Sequence, residues 1–158
     1  MNIAITGSPG TGKTILARGI AAALKMKAIN EKDFALKNKI GKFNDENELE
    51  IPIKEFEKKA NAFLKSHKNI IFEGHTICEM KLAVDKIIII KINPEELESR
   101  LEKRHYSAEK IMDNVFCEGI EYCKKHALRK YNKKHIIELI SLQNPRATLS
   151  SALFALSE

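Results

Sequence analysis

The sequence has no apolar run of membrane length. No run exceeds five residues (Ile20 to Leu24 and Ala152 to Leu156), and the most hydrophobic is Ile87-Ile88-Ile89-Ile90, against the ~20 residues that a bilayer helix requires. The start, Met1-Asn2-Ile3-Ala4-Ile5, has neither a basic region nor a long apolar stretch. It does not read as a secretory signal, and the expected compartment is the cytoplasm. Cysteine is scarce: Cys78, Cys117 and Cys123 are odd in number and lack metal-type spacing, which predicts free thiols in a reducing environment. No internal repeat, low-complexity tract or long linker interrupts the chain. One domain over residues 1–158 is therefore expected. Arginine is also rare. Of 27 Lys and Arg, only Arg18, Arg100, Arg104, Arg129 and Arg146 are arginines.

What is present is an ordinary globular composition, 44% hydrophobic and 30% charged, which excludes disorder along the whole chain. The net charge is +6 and the pI about 9.2. That balance suits anionic partners such as nucleotides or RNA, although a solvated lysine-rich surface accounts for most of it.

Strand and helix patterns alternate. Asn2–Thr6 reads as a short apolar strand running into a glycine-rich turn, and 14–24 as a helix carrying Ile15, Leu16, Ile20, Ala23 and Leu24 at helical spacing. A second short strand is expected over 27–30, a helix over 31–40 and a polar loop over 41–50. Pro52 opens a further helix with Ile53, Phe56, Ala60, Phe63 and Leu64 on one face. Residues 69–73 read as a buried strand. Residues 86–92 form the clearest strand, and their continuous isoleucine, without alternation, predicts a strand covered on both faces, as in a parallel sheet. Asn93-Pro94-Glu95-Glu96 is a helix start, with an Asn cap, a Pro in the first turn and acids at the positive dipole end. One long helix is expected over 107–129, a last strand over 135–140 and a terminal helix over 146–156. The pattern predicts an α/β fold, a doubly wound parallel sheet of about five strands flanked by helices.

The strongest motif is Gly7-Ser8-Pro9-Gly10-Thr11-Gly12-Lys13-Thr14, a match to the phosphate-binding loop (P-loop) pattern, placed between a strand and a helix as that motif requires. Its glycines allow the backbone to curl so that successive N–H groups face phosphate oxygens, and the following helix adds its positive end. Lys13 has the reach for the β- and γ-phosphates, and the Thr14 hydroxyl is a ligand for Mg2+. A turn built for packing alone does not explain Lys13 and Thr14 together.

Glu73-Gly74-His75 follows a predicted strand. In a parallel sheet this puts a carboxylate at the carboxyl edge beside the loop, where it can hold Mg2+ through water or merely cap the next segment. His75 can meet a phosphate, or be a polar surface residue. Arg100 and Arg104 share a helix face. Scarce arginines there suit transition-state charge, or the negative end of the helix dipole.

Taken together, the loop, Asn30-Glu31-Lys32-Asp33-Phe34-Ala35-Leu36, Glu73-Gly74-His75, and Arg104-His105-Tyr106-Ser107 with Asn114 and Glu118 resemble the atypical adenylate kinases of the isoenzyme-six type, more narrowly their archaeal branch. The resemblance covers about residues 1–139 and implies a P-loop nucleoside monophosphate kinase. It implies ATP and Mg2+, with AMP as the expected acceptor. It also implies ATPase activity in small-ribosomal-subunit maturation, with ribosomal protein S11 and the pre-30S particle as partners. By position it implies that Gly10, Gly12, Lys13, Thr14 and Ile15 bind ATP, that residues 30–53 form the monophosphate-binding segment, and that 103–113 form a lid whose Arg104 touches ATP. Lys13, Glu73, His75 and Arg104 are the implied catalytic group, with Thr14 and Glu73 serving the metal.

The chain departs from the family pattern at four places. Glu73 stands where an Asp is usual, and His105 where a Gly is usual. No arginine occurs within 30–53, leaving Lys32 or Lys37 to hold a monophosphate. From Ser141 onward the likeness ends. A kinase acting on another small metabolite, such as shikimate or gluconate, is the remaining alternative.

Overall fold

A computed structural model describes residues 1–158. Strand β1 (Ile3–Thr6) leads into helix α1 (Lys13–Leu24), then β2 (Lys27–Asn30) and α2 (Glu31–Lys37). A hairpin, β3 (Lys42–Phe43) and β4 (Leu49–Glu50), precedes α3 (Ile53–Ser66) and β5 (Ile70–Glu73). A 3-10 turn at Thr76–Glu79 is followed by β6 (Lys86–Lys91), α4 (Pro94–Lys103), α5 (Ala108–Gly119) and α6 (Tyr122–Lys130). The chain ends with β7 (Ile136–Ile140) and α7 (Pro145–Ser157).

The main sheet has five strands in the order β2-β5-β1-β6-β7, and every pairing is parallel. This is the expected α/β architecture. The isoleucines of β6 are all buried and serve both faces. Ile87 and Ile89 join Phe34, Phe56 and Phe72 under α2 and α3, whereas Ile88 and Ile90 join Ile3, Ile5, Leu16 and Ile20 under α1 and α7. On the first face Phe34 meets Phe72 edge-on at 5.0 Å between ring centres, a geometry that adds to plain area burial. A third cluster, Ile92, Leu97, Leu101 and Ile111, ties α4 to α5 beside the phosphate loop.

Most expected elements form at the predicted places, and three differ. The expected loop over 41–50 contains the β3–β4 hairpin, whose two-residue strands are too short to show alternation. Helix α2 stops at Lys37 instead of 40, because Ile40 turns inward to full burial. The single helix expected over 107–129 is two. Glu121 adopts φ 55°, which breaks the helical ladder between α5 and α6, and its carboxylate pairs with Lys91 on β6. An amphipathic pattern does not register such a break, since the apolar spacing resumes on the far side.

No helix is long and apolar enough to cross a membrane, and the three cysteines are free thiols.

Candidate active site

The phosphate loop sits at the carboxyl end of the central strand. Gly12 caps α1 with φ 92°, a left-handed conformation that costs glycine nothing and other residues ~1 kcal/mol or more. The loop is braced from three sides. Thr11 Oγ1 donates to the Ser8 carbonyl at 2.8 Å. Ser141 Oγ, beyond β7, donates to the Thr11 carbonyl at 2.8 Å, and Arg100 donates to the Gly10 carbonyl at 3.2 Å and to Ser141 at 3.1 Å. Ser8 Oγ donates to Glu118 of α5 at 2.7 Å, and the other Glu118 oxygen accepts from Ile92 N at 2.9 Å. The brace is polar and geometric, so it fixes the loop without filling it.

Lys13 Nζ donates to the Ser8 carbonyl at 2.9 Å. Burial pushes its ammonium below the ordinary lysine value, while Glu31 and Glu73 nearby push the other way. A cation held at such a desolvation cost gains from an anion more than a solvated one does. Thr14 Oγ1 donates to Glu73 Oε1 at 3.0 Å, and Asn30 Nδ2 donates to the same oxygen at 2.8 Å. Glu73 is buried at 2% exposure and ends β5 beside β1, as the sequence predicts. No group of three or more His, Cys, Asp or Glu is arranged to hold a metal ion by itself. One hydroxyl and one carboxylate next to a phosphate cradle fit Mg2+, which keeps most of its waters and takes the remainder of its shell from phosphate.

His75 Nδ1 lies 3.3 Å from the Gly7 carbonyl. Burial disfavours its imidazolium, but Cys123 and the Gly7 carbonyl favour it, and the balance lies above the ordinary histidine value. Gly74 is required by packing: a Cβ there would lie 2.1 Å from the Glu31 carboxyl carbon. Glu31 is buried, accepts from Thr76 N at 3.1 Å and from the Thr76 hydroxyl, and is held above the usual carboxylate range by burial.

Two cavities flank the loop. The first, ≈ 430 Å³, brings Gly10, Gly12, Ile15 and Arg104 together with Ser141, Gln143 and Thr148. Arg104 is exposed at the end of α4, and its side chain makes no ion pair, whereas Arg100 is committed to Glu96 and the loop. The second, ≈ 940 Å³, lies on the other side of the loop, between the hairpin and α5, and includes Pro9, Lys32, His75, Tyr106 and Asp113. Lys37, the other lysine expected at an acceptor, lies outside this cavity, on a third one at the β2 edge. Lys110 of α5 pairs with Glu48 and Glu46 of the hairpin.

Sequence reasoning missed Ser141, Gln143 and Thr148. Their signal was Asn144-Pro145, which starts α7 with the Asn side chain accepting from Arg146 N at 3.0 Å, as Asn93-Pro94 starts α4. The roles of Glu31 and Glu118 carried no local signal.

Comparison with known proteins agrees with this geometry. Residues 3–121 match the family model described as an AAA domain. The chain is 34% identical over 139 residues to a Thermococcus kodakarensis protein named "Putative adenylate kinase", covering 88% of this chain and 75% of that one. It is 32% identical over 147 residues to the adenylate kinase isoenzyme 6 homolog of Dictyostelium discoideum, covering 89% and 81%. Among solved structures, shikimate kinase from Aquifex aeolicus superposes with a TM-score of 0.66 at 15% identity, over 99% of this chain and 96% of that one. Deoxyadenosine kinase from M. mycoides superposes with a TM-score of 0.65 at 17% identity over the whole of both chains. These two likenesses concern the fold alone. With a phosphate loop braced at the head of a five-stranded parallel sheet and relatives of this kind, the chain is a P-loop kinase and belongs to the atypical adenylate kinase family that includes isoenzyme six.

Proposed function

We propose that the protein transfers the γ-phosphoryl group of ATP to a nucleoside monophosphate, AMP first among them. The observation that carries this reading is the pair of cavities on opposite sides of one phosphate loop, one for a donor and one for an acceptor. In this reading Gly10, Gly12 and Ile15 seat ATP with Arg104, and Lys13 and the loop N–H groups hold the transferring phosphoryl. Thr14 and Glu73 would hold Mg2+, which when bound would neutralise phosphate charge. Residues 30–53 carry the acceptor and 103–113 close over it, excluding water as a competing acceptor. His75 lies within hydrogen-bond reach of the Gly7 carbonyl and lines the acceptor cavity. Lys32 is the acceptor cavity's lysine outside an ion pair, and is the residue for the monophosphate.

A coupled assay with ATP, Mg2+ and each of AMP, CMP, GMP and UMP tests the proposal. ADP formation stimulated by a monophosphate, and abolished in Lys13→Ala, is the expected result. No nucleoside diphosphate from any monophosphate overturns it.

One observation favours a second reading. The acceptor cavity carries Glu46, Glu48, Glu109 and Asp113 against Lys32 and a Lys110 already neutralised by the hairpin. Carboxylates repel a monophosphate dianion but tolerate water or a basic partner. On this reading the protein hydrolyses ATP as a switch during small-subunit and 16S rRNA maturation, with ribosomal protein S11 as the partner. ATP turnover without any monophosphate supports it, together with S11 capture that is lost in Lys13→Ala. Capture indifferent to nucleotide counts against it. Transfer to shikimate, gluconate or another small hydroxylated metabolite, and to no monophosphate, would promote the third alternative.

A further inference from the structure

The edge of the sheet opposite the phosphate loop carries a row of cations that no ion pair neutralises. Lys27 begins β2, Lys86 begins β6, Lys68 lies just before β5, and Lys133 and Lys134 lie just before β7. The amino terminus lies at the start of β1. None of these lysines joins any of the ion pairs in the structure, which involve Lys91, Arg100, Lys110 and Lys124.

Hydrogen bonds join these segments into one continuous rim in the order of the sheet. Lys27 N donates to the Asn69 carbonyl at 2.8 Å, and the Met1 ammonium to Asn69 Oδ1 at 3.2 Å. Asn2 N donates to Asp85 at 2.7 Å, His135 Nδ1 lies 2.9 Å from the Asp85 carbonyl, and Lys86 Nζ donates to the Lys134 carbonyl at 3.0 Å. Four strand-to-strand gaps separate β2 from β7, so the rim is about 19 Å long at the usual strand spacing. Asp85 is its carboxylate. Five lysines against one carboxylate leave a surplus of four, out of a formal net charge of +6 for the chain.

General structural causes explain little of this. Cations offset the negative ends of helices within the last turn, but Lys27 and Lys86 are strand residues, and Lys133 and Lys134 lie past the end of α6. Lysine protects an exposed sheet edge, which covers Lys27 but not Lys86 on an inner strand. Concentrating like charge without partners costs stability unless an anion shares the surface.

We propose that this rim, on the side away from the nucleotide cavities, binds a single-stranded polynucleotide through its phosphates. The form of the charge favours that partner: a narrow line with rings set among the lysines. The exposed His67 ring, next to Lys68, stacks on Phe63 at 3.9 Å with the planes 10° apart, and His135 follows Lys134. A line of cations tracks a strand of phosphates while rings meet unpaired bases. The proposal does not depend on which acceptor the kinase site takes.

The test is fluorescence anisotropy of a labelled 20-nucleotide oligouridine with the full chain, across a salt series. Three variants are compared: Lys133→Glu/Lys134→Glu, Lys27→Glu/Lys68→Glu and, as a control on the exposed face of α3, Lys54→Glu/Lys58→Glu. Wild type binds with salt-dependent affinity. Each rim variant loses at least tenfold, with the log–log salt slope reduced by about 1.4 for two lost phosphate contacts, while the control stays within twofold. ATP binding by the rim variants stays at the wild-type value, which shows that they fold. Should a rim variant fail to fold, hydrogen exchange on wild type is the alternative readout, with oligouridine protecting 66–70 and 131–137. The proposal is overturned by the absence of oligouridine binding, by equal loss in the control, by protection confined to other segments, or by binding to phosphatidylserine vesicles alone.

Discussion

Glu118 of α5 holds Ser8 of the phosphate loop through a 2.7 Å hydrogen bond, and its second oxygen accepts from Ile92 N at the end of β6. One carboxylate therefore ties α5 and the end of β6 to the phosphate loop. Glu118→Ala leaves two part-buried groups unpaired, at ~1–3 kcal/mol each. Thermal denaturation should show a Tm lower by several degrees, since about 1 kcal/mol moves a chain of this size by ~2–4 °C. ATP affinity measured by calorimetry should fall as well. Glu118→Gln keeps an acceptor for Ile92 N and should recover most of both losses.

Glu73 offers one oxygen to both Thr14 and Asn30. Glu73→Gln preserves the shape of that network while removing its charge. The fold should persist by circular dichroism. The gain in ATP affinity on adding Mg2+ should shrink by tenfold or more if Glu73 holds the metal as proposed, because its charge is then lost from the site. Equal Mg2+ dependence in variant and wild type would remove Glu73 from that role.

Glu31 gives a pH dependence with a definite sign. Burial holds its folded-state pKa above the ordinary value of 4.5. The unfolded chain therefore releases this proton more readily than the folded one, and ionisation works against folding. The stability of wild type relative to Glu31→Gln should be constant below about pH 4.5. It should then decline as pH rises through the raised folded value, and level off above it. Paired denaturant melts from pH 4 to 8 would show this, and a difference that grows with pH would refute it.

His105 stands at φ 59° between α4 and the start of α5, a conformation that favours glycine. His105→Gly relieves strain of ~1 kcal/mol or more but adds unfolded-state freedom. A Tm unchanged or raised by up to ~4 °C is expected, in contrast to a typical surface-to-glycine loss. A fall of more than 4 °C would show that the His105 side chain carries packing.

The phosphate loop was legible because its chemistry is local. Gly7 to Thr14 must curl, donate N–H groups and place Lys13 within one stretch of chain. The buried sheet was legible for a related reason. Four isoleucines in a row have no solvent face, which leaves an inner parallel strand as their place. Asn93-Pro94 marked a helix start by capping chemistry that acts over three residues.

The remainder depends on partners far apart in the chain. The hairpin hid because a two-residue strand has no period, and the α5–α6 break hid because the apolar spacing resumes beyond Glu121, which turns left-handed and meets Lys91, thirty positions away. Ser141 reaches the phosphate loop only because β7 lies beside β6. Glu31 becomes a buried carboxylate only once Gly74 leaves room for it. The sequence by itself determined that a nucleotide phosphate is held and which strands are buried, because both follow from short-range backbone and side-chain chemistry. Which residues brace the loop, which wall the two cavities, and where the unpaired lysines line up were decided by the strand order, since sheet pairing sets distances that spacing along the chain does not carry.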